Sequence, residues 1–216
     1  MARIAAALLA AVAASSSSAP RNATAPRSLC FPRAYGPEAN PICLAWWRDG
    51  ADVLFQLQCV PDAFPEFALG WCAVGFSTAS PPWAPVPQPG SWGMWPAEVI
   101  HLQVQVISPT SASSAPAVVL TDRLTTGVRL PACAGAQVTR LINASLDASS
   151  GMLTAFFARA AQLPTASLAL GLTNLNRTLP LVAAISNSGA ARGGCSEVFP
   201  PHDNEWRNET ADFTFP

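Results

Sequence analysis

Six cysteines (Cys30, Cys43, Cys59, Cys72, Cys133 and Cys195) follow a leader-like N-terminus, and no other feature restricts the folds open to this chain as strongly. Met1-Ala2-Arg3 supplies a short positive start, and Ile4 to Ala14 is an apolar run of 11 residues. That is well short of the roughly 20 residues a bilayer-spanning helix needs, so the segment reads as a secretory signal. Val12 and Ala14 are small residues at the recognition positions, which predicts a signal over residues 1–14, with cleavage up to Ala19 as the alternative. Either cut leaves all six cysteines in a chain exported to an oxidising compartment. An even count there predicts disulfides, three at most, chosen from fifteen complete pairings. Cys30 with Cys43 would staple the N-terminal extension, and a late link between Cys133 and Cys195 would tie long loops. Cys72 lies inside a core-like strand and reads equally well as a buried thiol with Cys59 packed beside it.

After processing, roughly 200 residues remain, enough for one domain with a real core. We divide the chain into an N-terminal extension over 15–42 and one domain over 43–216. The twelve basic residues are all Arg, against thirteen acidic residues, for a formal net charge of -1. No basic stripe or aromatic–basic platform is present, which argues against a nucleic-acid partner. No later apolar run has membrane-spanning length, and the ending ADFTFP shows no lipid-anchor pattern, so the expected location is secreted or extracellular. Four sequons fit that compartment: Asn22-Ala-Thr, Asn143-Ala-Ser, Asn176-Arg-Thr and Asn208-Glu-Thr. An occupied asparagine must face solvent, because a glycan is too bulky for a core.

Hydropathy alternates with a period of two along much of the chain. Asp49-Gly50 marks a hairpin turn between two apolar segments. After it, Val53, Phe55, Leu57 and Cys59 alternate with Leu54, Gln56 and Gln58. Trp71, Ala73, Gly75 and Ser77 alternate with Cys72, Val74 and Phe76, a strand whose small residues invite close approach of backbone or a second layer. The proline-rich stretch 81–90 cannot be a central strand and predicts a long loop carrying Trp83. In AEVIHLQVQVI, Val99, His101, Gln103 and Gln105 mark one face, and Ile100, Leu102, Val104 and Val106 the other. Further strands are expected within 117–131, 138–143, 152–157, 166–172 and 179–186, with ADFTF as a closing edge. The absence of a long period-3.6 segment completes the expectation: an all-β, two-sheet, mostly antiparallel sandwich.

The order of these pieces resembles the DOMON family of secreted β-sandwich modules over about Cys43 to Phe215. GWCAVGFS at 70–77 looks like the family's Gly-Trp-x-x-x-Gly-Phe-Ser strand, and GMWPAEVIHLQVQ at 93–105 like its next segment. In that segment Met94 and Ala97 match, Pro96 replaces the usual Gly, and Glu98 replaces the usual Asp. Trp46 or Trp47 precedes ADVLFQL as in the family's first core strands. Arg159 falls at a familiar basic position, and His202 stands before the closing strand. The resemblance implies a domain that binds haem or sugar.

In haem-binding members a Met from this loop and a late His are the axial ligands, which carries over to Met94 and His202 and implies haem b and an extracellular redox partner. A thioether and an imidazole together fill both axial positions, which suits electron transfer rather than oxygen activation. Trp92, Trp95 and Phe76 would be pocket-wall residues, and His101 is an alternative ligand. The competing expectation is a carbohydrate- or glycoprotein-binding module. Trp83, Trp92 and Trp95 could stack on a sugar ring, with Gln88, Ser91 and Glu98 as polar partners; a purely structural extracellular module is the third reading. No nucleophile elbow, zinc motif or paired-carboxylate arrangement stands out, so no catalytic residue is nominated and independent catalysis is not expected. Mass spectrometry of secreted, non-reduced protein is expected to find at least two intramolecular disulfides and at least one occupied sequon. Six alkylatable thiols in folded protein would overturn the assignment to an oxidising compartment.

Overall fold

The computed structural model describes residues 24–31, 42–60, 70–77, 96–105, 117–126, 132–147, 149–186 and 204–215. They form two antiparallel sheets packed face to face, as the alternating sequence requires. The five-stranded sheet has the order β1 (Arg27–Phe31), β2 (Ile42–Asp49), β3 (Asp52–Cys59), β9 (Leu153–Ala160), β8 (Thr139–Leu146). The six-stranded sheet has the order β11 (Asn204–Asp212), β10 (Thr178–Ser186), β4 (Trp71–Ser77), β5 (Pro96–Gln105), β6 (Ala117–Thr126), β7 (Ala132–Cys133).

Period two becomes inside and outside. Val53, Phe55, Leu57 and Cys59 of β3 face the interior with Leu153, Ala155 and Phe157 of β9. From the other sheet come Cys72, Val74 and Phe76 of β4 and Ile100, Leu102 and Val104 of β5. The centre of the interior is aromatic. Phe55 stacks on Phe157 with centroids 5.1 Å apart, and Phe213 meets Phe76 edge-on at 5.4 Å. Phe213 also lies 5.6 Å from Trp46, whose indole Nε1 donates to the Asp212 carbonyl. This satisfies the one polar atom of a buried tryptophan.

The hairpin at Asp49-Gly50 forms as expected, with Gly50 at φ +59°, where a side chain would be strained. Three elements differ from expectation. Strand β1 lies within the segment read as an extension, and it pairs along its whole length with β2, from Arg27 opposite Trp46 to Phe31 opposite Ile42. Residues 166–172, expected as a strand, instead contain the short helix α1 (Thr165–Ala169). Pro164 opens that turn, and its carbonyl accepts from Ser167 and Leu168. An apolar run of this length does not by itself separate strand from helix. The closing strand is Asn204–Asp212 rather than ADFTF, because Phe213 leaves the strand to plug the interior.

Two disulfides act on different parts of this framework. Cys30–Cys43 joins directly opposed residues of β1 and β2. Cys59–Cys72 runs through the interior from the end of β3 to β4 and so ties one sheet to the other. Cys72 is therefore not a free thiol. Cys133 is disulfide-bonded as well; Cys195, its expected partner, lies outside the described residues. The two described bridges have the same sequence separation, 13 residues. Loop-closure entropy then gives each about 3 kcal/mol. Replacing Cys59 and Cys72 with alanine is expected to cost more than replacing Cys30 and Cys43, because both members of the former pair are fully buried between the sheets, whereas Cys30 is only partly buried. Equilibrium urea unfolding of the two double variants checks the order; equal losses would refute the cross-sheet role.

Candidate functional site

Strands β4 and β5 sit in the middle of the six-stranded sheet and are covered on both faces. On the inner side, Glu98 of β5 is fully buried and pairs with Arg159 of β9 in the opposite sheet. Glu98 Oε2 accepts from the Thr173 backbone N–H at 2.8 Å, and the guanidinium of Arg159 also donates to the Thr173 carbonyl. The same guanidinium lies over the Phe76 ring, 5.7 Å from its centroid. Burial pushes the Glu98 carboxyl up, while the Arg159 charge and the Thr173 N–H pull the other way. Glu98 therefore cannot serve as a polar partner for a sugar at the protein surface. Phe76 is likewise an interior residue and lines no outer pocket.

The outer side is also buried, although nothing in a two-layer sandwich requires it. Trp71 and Ala73 of β4 and Ala97 and Val99 of β5 form a second apolar cluster, flanked by Val182 and Ala184 of β10. The residues here are small for a reason visible at Gly75. A Cβ at that position would lie 2.7 Å from the Glu98 carbonyl oxygen and 2.8 Å from the Val182 side chain. The result is a low, flat floor of alanine, glycine and valine. A polar strip adjoins it. His101 is 1% exposed, with its ring 5.2 Å from Trp71 and its Nδ1 3.4 Å from Thr121 Oγ1. Arg123 Nε donates to the same Thr121 hydroxyl. Burial, with the Arg123 charge as the second cause, pushes His101 down to about 3, so its imidazole is neutral at physiological pH.

Met94, His202, Trp83, Trp92, Trp95, Asn22 and Cys195 lie outside the described residues. The strands that follow the two expected axial ligands are described. Met94 precedes β5 by two residues, and His202 precedes β11 by two. In the sheet, Asn204 lies level with Ile185, then Cys72, then Leu102, whereas β5 starts at Pro96. Strands β5 and β11 therefore start at opposite ends of one sheet, diagonally roughly 25 Å apart at ordinary strand spacing and rise. Of the sequon asparagines, Asn143 and Asn176 are exposed, and Asn208 lies in β11. Among the described residues no group of three or more His, Cys, Asp or Glu side chains is arranged to hold a metal ion, and no helix is long and apolar enough to cross a membrane.

The small residues of β4 predict close approach of backbone or a second layer, and Gly75 has the Glu98 carbonyl and Val182 at that distance; the burial of the outer face had no signal of its own. The Glu98–Arg159 pair left no local signal, because its members are 61 residues apart.

No protein-family model matches the chain, and no curated protein matches it by sequence. Among solved structures, its fold is similar to the cytochrome domain of Myriococcum thermophilum cellobiose dehydrogenase, with a TM-score of 0.51 over 86% of this chain and 81% of that one. The fold is a DOMON-like sandwich. Sequence identity is 12%, so the likeness is one of fold.

His101 is neutral in the DOMON-like fold and free to protonate when unfolded. Its depressed value makes a contribution that is complete above about 6.5 and is lost as pH falls toward 3. The slope is about 1.4 kcal/mol per pH unit. Comparing urea midpoints at pH 7 and pH 4.5 is expected to show this loss in the native chain and its removal by His101→Gln. An unchanged pH slope in the variant would contradict burial of the neutral ring.

Proposed function

We propose that this chain is an extracellular electron-transfer module that holds haem b through Met94 and His202, with the outer face of the six-stranded sheet as the floor of the site. The observation that carries this reading is the floor itself: a flat, apolar, buried face, on a fold similar to that of a cytochrome domain. The small side chains of Ala73, Gly75, Ala97 and Ala184 would let the edge of a macrocycle approach the backbone while both its faces stay open to the axial ligands, and Trp71 adds apolar area beside it.

The positions at which β5 and β11 start, at opposite ends of the sheet, support a ligand pair drawn from the two loops before them. The inner face is filled by the core, which leaves the outer face for a ligand site. Iron held by a thioether and an imidazole exchanges one electron and keeps no open position for substrate. On this reading the module passes electrons to or from a partner and carries no independent catalysis. The signal segment, the disulfides and the sequons support an extracellular place of work.

Purified secreted protein supplied with haem is expected to show the sharp reduced bands of a low-spin six-coordinate centre. Met94→Ala or His202→Ala is expected to remove a ligand and convert that spectrum, with the β-type circular dichroism unchanged. Folded protein that takes up no haem would overturn the proposal. Sugar binding that is lost on changing Trp83 or Trp95 would replace it with the carbohydrate reading.

A further inference from the structure

A cleft of about 440 Å³ opens at the end of the sandwich that carries the β2–β3 turn, within the range of about 300–1,000 Å³ usual for small-molecule sites. Its lining includes Arg48, Gln162, Asn176, Phe213 and Phe215. Asn176 is itself the acceptor of a sequon, and Asn176, Arg177 and Thr178 are all exposed on the turn into β10. We infer that this cleft is the seat of the chain's own N-glycan, whose first sugar packs back against Phe215 and Arg48 once attached to Asn176.

The turn is held at both ends. Leu175 N–H donates to the Ala161 carbonyl, beside Gln162, and Phe213 N–H donates to the Arg177 carbonyl. Asn176 is thereby fixed next to the segment that supplies the aromatic rings. Phe215 has the Arg27 guanidinium over its ring, 5.1 Å from the centroid, and is only partly buried against the core, so its exposed part can meet the apolar side of a sugar ring. Arg48 donates Nε to the Gly50 carbonyl, and among the described residues its Nη groups have no hydrogen-bond or ion-pair partner. They and the Gln162 amide match sugar hydroxyl and acetamide oxygens. An asparagine in its own cleft also gives its sugar a high effective concentration there, so weak contacts suffice.

Attachment moves the glycan from a lipid-linked diphosphate donor in the secretory compartment. The bond from the anomeric carbon to Asn176 Nδ2 forms, the carbon–oxygen bond to diphosphate breaks, and the amide nitrogen gives up a proton. The inference does not depend on haem.

The full chain, secreted from a glycosylating host, provides the test. Glycopeptide mass spectrometry is expected to find Asn176 occupied. A glycan docked for about 90% of the time leaves a tenth of molecules open, so an endoglycosidase should release it about tenfold more slowly from native than from denatured protein. Phe215→Ser and Arg48→Gln are each expected to restore fast release. Asn176→Gln is expected to lower Tm by about 3 °C in glycosylated protein, and to leave Tm unchanged when both proteins are made in a host that cannot glycosylate. An empty Asn176, or equal release rates from native and denatured protein, would overturn the inference.

Discussion

The Glu98–Arg159 pair sets the relation between the two sheets more narrowly than the surrounding hydrocarbon does. Apolar side chains tolerate sliding by a fraction of a residue; a charge pair in a dry interior does not. Removing either partner alone leaves an uncompensated buried charge, at about 3–5 kcal/mol. The pair is fitted into a larger arrangement, since Thr173 offers its N–H to the carboxylate and its carbonyl to the guanidinium. Arg159 Nε has no hydrogen-bond partner among the described residues, and the Phe76 ring face lies beside the guanidinium instead. An apolar pair of similar volume would cost less to bury. What the ionic version adds is register: it holds β5 at one position against β9.

That register matters because β5 has two working faces. With Glu98 locked inward, Ala97, Val99, His101 and Gln103 must point outward, and a one-residue slip would exchange the two sets. The same logic is repeated at the far edge. Asp122 of β6 accepts the backbone N–H groups of Val138 and Thr139 beside β8, and Gln137 exchanges two hydrogen bonds with the Asp122 backbone. Cys59–Cys72 supplies a third, covalent tie. Three links thus bridge the two layers, and the two polar ones use groups that would be costly to leave buried and unpaired.

Much of this was legible in the sequence wherever one face is apolar and the other is not. The inward set on β3, the split faces of β5 and the Asp49-Gly50 turn follow from period and turn chemistry alone. Legibility failed at the sheet edges. Strand β1 is only RSLCF, and its place depends on a partner in β2; β11 reads NEWRNETAD, whose polar run has no hydrophobic alternation to detect. Helix α1 was hidden in an apolar run too short to show its period. At the site, the small residues of β4 pointed to close approach of backbone, which Gly75 shows against the Glu98 carbonyl, but not to the burial of the outer face. The partners of Glu98 did not follow, because a contact between positions 98, 159 and 173 is set by packing and leaves no trace in spacing.

The two sheets end up chemically unequal on their outer faces. On the five-stranded sheet, the outer edge at β8 is wet: Arg140, Asn143 and Ser145 are exposed, and Ile142 is half-exposed at a register shift. A glycan on Asn143 would stand there without disturbing any packed surface. The middle of the six-stranded sheet is the reverse, with buried side chains on both sides of the same strands. A sheet buried on both faces normally reads as continuous bulky aliphatics. Here the outward positions of β4 are instead Trp, Ala, Gly and Ser, which fill little volume apart from the tryptophan. A layer that needed only to be sealed would use larger side chains. Small side chains give up apolar area that valine or leucine would have buried, and at Gly75 they bring the backbones of β4 and β5 and the Val182 side chain too close for even a Cβ.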